Sequence, residues 1–168
     1  MEGAQILLTA GLLLLLGDFV ATFGYHVPEH VFGKFHGLVH HSPRRSFVCY
    51  AIQHRQPIAL IDGFLSAFPY FVFIPWLWTL SPWGVGLGLG LAELHVIWRH
   101  RFSPPRPRPV WLTKLCWAFG ITTPERHQIH HQNGNRAFGD IFAFYGRPAE
   151  WWLKYLRSLK KRYRATCR

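Results

Sequence analysis

Histidine dominates the residues that could do chemistry. Five histidines (His26, His30, His36, His40 and His41) fall within the sixteen residues HVPEHVFGKFHGLVHH. His95 and His100 follow, then His127, His130 and His131, so ten of the eleven histidines are clustered and only His54 stands apart. Neutral imidazole is the commonest metal ligand among side chains and suits iron, zinc, copper and nickel. Spacings of three to five residues put imidazoles on a shared helix face. Ten imidazoles exceed what one ion can use, and two ions with about four or five ligands each would absorb them.

Other metal and catalytic patterns are missing. A structural zinc site usually takes four ligands, often cysteines. Cys49, Cys116 and Cys167 are far apart, with no CxxC and no disulfide framework. No HExxH, Gly-rich phosphate loop or GxSxG is present. Acids near the histidines are too few for the Glu-x-x-His pattern of soluble di-iron bundles. Were the two ions iron and the site beside a bilayer, the arrangement would suit oxygen activation against C–H bonds of a lipid.

The elements that would position these residues are apolar. The chain is 49% hydrophobic and 17% aromatic, yet carries a net charge of +11. That combination suits a membrane protein with one basic face. Nucleic-acid binding, the usual alternative for a basic chain, explains neither the apolar runs nor the histidines. At 168 residues a single domain is expected.

The first apolar run, Ala4 to Tyr25, supplies 22 residues, and a bilayer core needs roughly 20. Glu2, with no Lys or Arg before the run, argues against a signal peptide. Asp18 sits late in this run and shares a face with Thr22 and His26. It would either hydrogen-bond a ligand histidine or line the way to it, or else be an interfacial carboxylate that snorkels or pairs with a neighbouring helix. Val27-Pro28 is expected to end or kink the helix. Pro28 would then open a second helical piece that stops at Ser42-Pro43. The second run, 57–80, contains Pro69 and Pro75. The third, 83–98, contains two GxxxG pairs, Gly84/Gly88 and Gly86/Gly90, which let helices approach closely in lipid. Residues 57–98 read as a helical hairpin.

None of the 19 Lys and Arg residues lies in 1–33 or 56–98. The positive-inside rule then places 26–56 and 99–168 in the cytoplasm, which brings every histidine cluster to one membrane face. Thr123-Pro124 reads as the start of a helix that carries His127, His130 and His131 on one face. The tail, 148–168, reads as an interfacial amphipathic helix, with a solvated basic tail as the alternative.

The motifs HVPEH (26–30), HGLVHH (36–41), HVIWRH (95–100) and HQIHH (127–131) resemble those of the fatty acid hydroxylase/sterol desaturase superfamily, whose members are membrane di-iron oxygenases. The resemblance covers residues 18 to about 146, and HQIHH followed by Asn135 and Phe138-Gly139 is its most specific part. It implies that His26, His30, His40, His41, His127, His130 and His131 hold iron, and that His95 and His100 are the family's additional histidines. The second motif runs HxxxHH, with Gly37 where HxxHH would need histidine, which sets His36 apart within its cluster. Three spans also depart from the commoner four.

The expectation is therefore an all-α integral membrane protein with about three spans and a cytoplasmic histidine-rich helical cap. Its activity would be O2-dependent hydroxylation or desaturation of a lipid, sterol or isoprenoid chain. It would use two iron ions, with zinc as an adventitious occupant. Asp18, Glu93, Glu125, Asn135 and Asp140 are candidates for orienting the imidazoles. Electrons would come from a separate ferredoxin-, cytochrome- or reductase-type donor, because the chain has no flavin, haem or iron–sulfur motif. Arg44, Arg45, Arg99, Arg101, Arg106 and Arg108 would dock that donor, or else enforce topology or bind anionic lipid. A membrane zinc hydrolase or isomerase and a non-catalytic metal-binding protein are the alternatives.

Overall fold

The computed structural model describes residues 2–33, 36, 51–101 and 109–167. The described residues are helical apart from short connections and one isolated β-bridge between Ile121 and Phe142. The helices are α1 (Glu2–Val20), α2 (Val27–Phe32), α3 (Ile58–Val72), α4 (Ile74–Leu80), α5 (Pro82–Arg101), α6 (Val110–Ala118), α7 (Pro124–Gln132) and α8 (Gly146–Thr166).

Of the two outcomes expected at Val27-Pro28, the helix does not end there, and Pro28 stands in the first turn of α2, as expected. A π-helical segment, Ala21–His26, joins α1 to α2 into one helix, Glu2–Phe32. Val27 keeps helical angles (φ −65°, ψ −46°), and its N–H reaches back to the Thr22 carbonyl. A proline inside an α-helix loses one bond and clashes with the carbonyl four residues back. The wider π turn just before Pro28 accommodates the ring without ending the helix. It also leaves the Phe23 carbonyl with no helical donor, since Val27 bonds elsewhere and Pro28 has no N–H. The indole Nε1 of Trp152 donates to that carbonyl at 3.0 Å, which pins α8 to the π segment. The helix ends at Gly33, whose backbone is extended. The expected stop at Ser42-Pro43 lies outside the described residues.

Pro69 is carried inside α3, and the break comes at Phe73, where α3 and α4 bend by 46°. Glu2–Phe32 is long and apolar enough to cross a membrane, and the bent α3–α4 pair passes the same test if counted as one span.

α1 and α5 run side by side in the same direction. Near their starts, Gln5 Nε2 donates to the Leu80 carbonyl at 2.6 Å. A Cβ on Gly84 would meet the Ile6 carbonyl at 2.7 Å, and one on Gly88 would meet Leu13 Cδ2 at 3.0 Å. A Cβ on Gly86 or Gly90 would meet nothing within 4 Å. Only the first of the two GxxxG pairs therefore carries the close approach. The α1, α3, α4 and α5 helices share a core that includes Leu13, Ala21, Tyr70, Leu77 and Val85. Their outer faces expose Leu7, Leu8, Phe64, Phe68, Trp76, Trp78 and Leu94.

A second core forms where Val27 and Val31 of α2 meet Ala149, Leu153 and Leu156 of α8 around the buried Phe138. This core and the parallel α1–α5 pair bring the ends of α2 and α5 together over α7. The Thr123-Pro124 start of α7 is as expected: the Thr123 hydroxyl accepts the Arg126 N–H at 3.4 Å.

Candidate metal centre

The imidazoles gather into two groups where α2 and α5 end. His26, His30, His36 and His130 form the first; His100, His127 and His131 form the second. Within each group the ligand atoms lie within 4.8 Å of one another. Sequence spacing placed the three α7 histidines on one face, and the structure divides them. His131 lies four residues from His127 and His130 three, so at about 100° per residue they flank His127 on opposite sides. His127 and His131 turn to His100, while His130 turns to His26.

The hydrogen bonds assign protons. His130 Nδ1 lies 2.8 Å from the Arg136 carbonyl, and His100 Nδ1 lies 2.8 Å from the Val96 carbonyl. A carbonyl oxygen only accepts, so both Nδ1 atoms carry the proton and both Nε2 atoms present lone pairs. His26 Nδ1 faces the Asp140 carboxylate at 3.3 Å, with the same consequence. Yet His26 Nε2 and His130 Nε2 are 2.9 Å apart. His127 Nε2 lies 3.0 Å from both His100 Nε2 and His131 Nε2. At His26 and His130 the two lone pairs converge with both protons committed elsewhere, which fits a shared cation. Tying Nδ1–H to a carbonyl or carboxylate is how metal-binding histidines are held in one tautomer.

His36 stands in the first group despite the HxxxHH spacing. It is 4% exposed, its ring lies 4.4 Å from that of His26, and its backbone N–H donates to Glu29 Oε1 at 3.3 Å. The missing Cβ of Gly33 leaves room for the Glu29 carboxylate to fold back there. His40 and His41 lie outside the described residues. His95 belongs to neither group; its Nε2 donates to the Thr122 carbonyl at 2.8 Å, and its ring packs on Trp98. His54 is exposed.

Charge around the groups is organised by Asp140 and Arg99. Burial alone would raise the Asp140 carboxyl, but Arg99 Nη1 at 2.7 Å and then His26 hold it well below the usual carboxylate range. Burial, then Arg99 and His100, keeps His127 well below the ordinary imidazole range. It is therefore neutral at physiological pH, the form that binds metal.

The hydrogen bonds of Asp18 go to backbone and to a hydroxyl, and none of them to an imidazole. Its carboxylate accepts the backbone N–H groups of Asp140 (3.0 Å), Ile141 (3.0 Å) and Phe142 (2.6 Å), together with the Thr22 hydroxyl. It acts on His26 at one remove, by fixing the segment that carries Asp140. Gly139 turns that segment with φ +101°, where a Cβ would also collide with the Phe142 carbonyl. Glu93 and Glu125 are exposed and belong to neither group. Asn135 is exposed, and its N–H donates to Asn133 Oδ1 at 3.1 Å.

Arg99 corrects the docking expectation. It is 6% exposed and spends its guanidinium on Asp140, so it offers nothing to an approaching donor. Arg44, Arg45, Arg106 and Arg108 lie outside the described residues. Sequence reasoning named Phe138 only within the Phe138-Gly139 pair and missed its place at the site, fully buried with its ring 4.7 Å from His130 and 5.3 Å from both His26 and His30. The position of Arg99 inside an apolar stretch between two histidines was the available signal.

No curated protein and no solved structure matches the chain. A family model described as fatty acid hydroxylase matches residues 11–149, from within α1 to the first turn of α8. The match takes in Asp18, Asp140 and every histidine of both groups, and the chain belongs to the fatty acid hydroxylase family, hydroxylase- and desaturase-type oxidoreductases.

Proposed function

We propose that the protein is a membrane-embedded, O2-dependent hydroxylase or desaturase that acts on a lipid, sterol or isoprenoid chain, with one iron ion in each imidazole group. The observation that carries this reading is the 2.9 Å approach of the His26 and His130 Nε2 lone pairs while Nδ1 of both is committed elsewhere, beside a second group in which His100 turns its own Nε2 lone pair to His127. His26, His30, His36 and His130 would hold one ion, and His100, His127 and His131 the other. His40 and His41 complete the proposed donor set, and His95, expected there too, stands outside both groups with its Nε2 on the Thr122 carbonyl. The irons, when bound, supply the O2 activation that breaks a C–H bond. The chain itself orients the imidazoles through Asp140, Val96 and Arg136 and shields the first group from water with Phe138. Since binding strength generally favours zinc over Fe(II), adventitious zinc is expected in purified protein.

In this proposal one domain, 1–168, spans the membrane at about 4–25, 57–80 and 83–98. Residues 26–56 and 99–146 face the cytoplasm, and the tail, 148–168, lies on the surface. The exposed apolar faces of α1, α3, α4 and α5 support the spans, and the parallel course of α1 and α5 supports a shared metal face. A separate ferredoxin-, cytochrome- or reductase-type donor supplies electrons.

The test is elemental analysis of protein from iron-replete cells, with 18O2 labelling of their lipids. About two irons per chain, with products lost in His130→Ala, are expected. One metal per chain with full O2-dependent activity would sink the di-iron reading. The second group, three imidazoles, also matches the donor set of a catalytic zinc. Retained zinc with oxygen-independent turnover would favour a hydrolase or isomerase. Absence of any product would favour a metal-binding protein without catalysis.

A further inference from the structure

A cavity of about 380 Å³ opens between the end of α2 and the second half of α8, lined by His30, Val31, Arg157, Lys160, Lys161 and Arg164. Four of the six residues are cationic, and no carboxylate is among them. Lys160 Nζ donates to the Val31 carbonyl, which fixes one ammonium on the cavity wall. The remaining cations project from α8 with nothing acidic in the lining to balance them. Like charges gathered around a concavity raise the local concentration of anions. Arginine in particular matches the planar, bidentate geometry of carboxylate and phosphate.

The volume selects the size of the guest. About 300–1,000 Å³ is the range of small-molecule sites, whereas a docked protein needs roughly 800 Å² of surface on each partner. Depth in the membrane comes from the opposite flank of α8. Trp151, Tyr155, Leu159 and Tyr163 recur at every fourth residue there, and all are exposed. Trp and Tyr settle at the level of lipid head groups, so the cavity would sit at that level too. His30 belongs both to the cavity wall and to the first imidazole group. An anion seated among the α8 cations is therefore separated from the candidate metal centre by a single imidazole.

We infer that this cavity is the binding site for the anionic head group, carboxylate or phosphate, of the lipid substrate. The inference rests on the lipid-oxidation reading for the identity of the bound molecule as substrate. The head group anchors beside His30, and the hydrocarbon leaves the cavity past the first imidazole group. The enzyme would then prefer acidic amphiphiles to neutral ones of equal chain length.

The experiment measures binding of decanoate, decyl phosphate and decanol to the full chain in neutral detergent, with metal content determined on the same preparations. Both acidic amphiphiles should bind on the order of tenfold more tightly than decanol, the size of one or two charge-assisted hydrogen bonds. Arg157→Glu/Lys161→Glu should abolish that preference, and Arg157→Gln/Lys161→Gln should reduce it. Lys154→Glu, on α8 but outside the cavity, should leave it intact. Equal binding of decanol, or an unchanged preference in the double variants, overturns the inference. So does inorganic phosphate that competes as strongly as decyl phosphate, which would mark a site for a free anion. Weaker association with an acidic electron donor, with amphiphile preference intact, would overturn it in favour of a protein-docking face. Because the readout is binding, a wrong metal count with the preference intact removes the di-iron reading alone.

Discussion

The Asp18 carboxylate accepts the backbone N–H of Phe142 at 2.6 Å and so ties the membrane-length helix to the segment that carries Asp140. Two further backbone N–H groups and the Thr22 hydroxyl reach the same carboxylate. Asp18→Asn keeps the shape but loses one acceptor oxygen and aims an NH2 group at backbone donors. Hydrogen bonds to a charged group contribute about 1.5–3 kcal/mol. A loss of about that size is expected in thermal unfolding of the variant in detergent. Metal should also leak from the first imidazole group, since Asp140 is no longer held. Wild-type stability with full metal content would refute the clamp.

Asp140 reads out differently. It orients His26 through Nδ1, and removal of such a partner typically lowers metal affinity about 10–100-fold. Asp140→Asn should therefore weaken only the first group, which is seen as one metal released at lower chelator concentration while the other stays. Arg99→Met leaves the Asp140 carboxylate buried without its cationic partner, with only the His26 imidazole beside it. Breaking a buried pair in this way costs about 3–5 kcal/mol, so that variant should fail in folding yield before it fails in metal binding. The order of the two effects distinguishes an orienting carboxylate from a structural ion pair.

Much of this was legible in the sequence, for identifiable reasons. The helical class follows from apolar runs that no isolated strand could form in lipid. The clustering of His26, His30, His127, His130 and His131 follows from helical spacing. Partition of those histidines was not legible, because it depends on how α7 is rotated between α2 and α5. Spacing fixes the angles between side chains and leaves that rotation open. The proline rule leaves an end and a kink at Pro28 equally open because it assumes α geometry, and the π turn changes which carbonyl the ring opposes. The shared face of Asp18 and His26 leaves a histidine partner and a partner on another element equally open. The true partners of Asp18 are backbone N–H groups about 120 residues away, which no local pattern can reveal.

The glycines of α5 give a direct check on the packing. Gly84 and Gly88 lie against α1, whereas Gly86 and Gly90 face open space. Gly84→Val and Gly88→Val should each destabilise by about 1–3 kcal/mol, the usual cost of overpacking. They should also reduce metal content, since the α1–α5 contact sets the distance between His26 and His100. Gly86→Val and Gly90→Val should be tolerated. Equal effects at all four positions would mean that the second GxxxG pair also packs against a helix.

The division of α7 leads to the most specific prediction. His130 faces the first group, and His127 and His131 the second, although they lie within one helical turn. His130→Ala removes the lone pair that opposes His26 Nε2 at 2.9 Å. His131→Ala removes the imidazole whose Nε2 meets His127 Nε2 at 3.0 Å. Each variant should therefore keep about one of two metals, but not the same one. Spectra of protein reloaded with Co(II), which reports ligand geometry, should show complementary signals that sum to the wild-type spectrum. Both variants should lose turnover, because the proposed reaction needs both ions. His54→Ala should change neither signal. His36→Ala should diminish only the signal that His130→Ala removes, since both side chains belong to the first group. Identical residual spectra in His130→Ala and His131→Ala would mean that α7 serves a single site, and the two-group geometry would then be wrong.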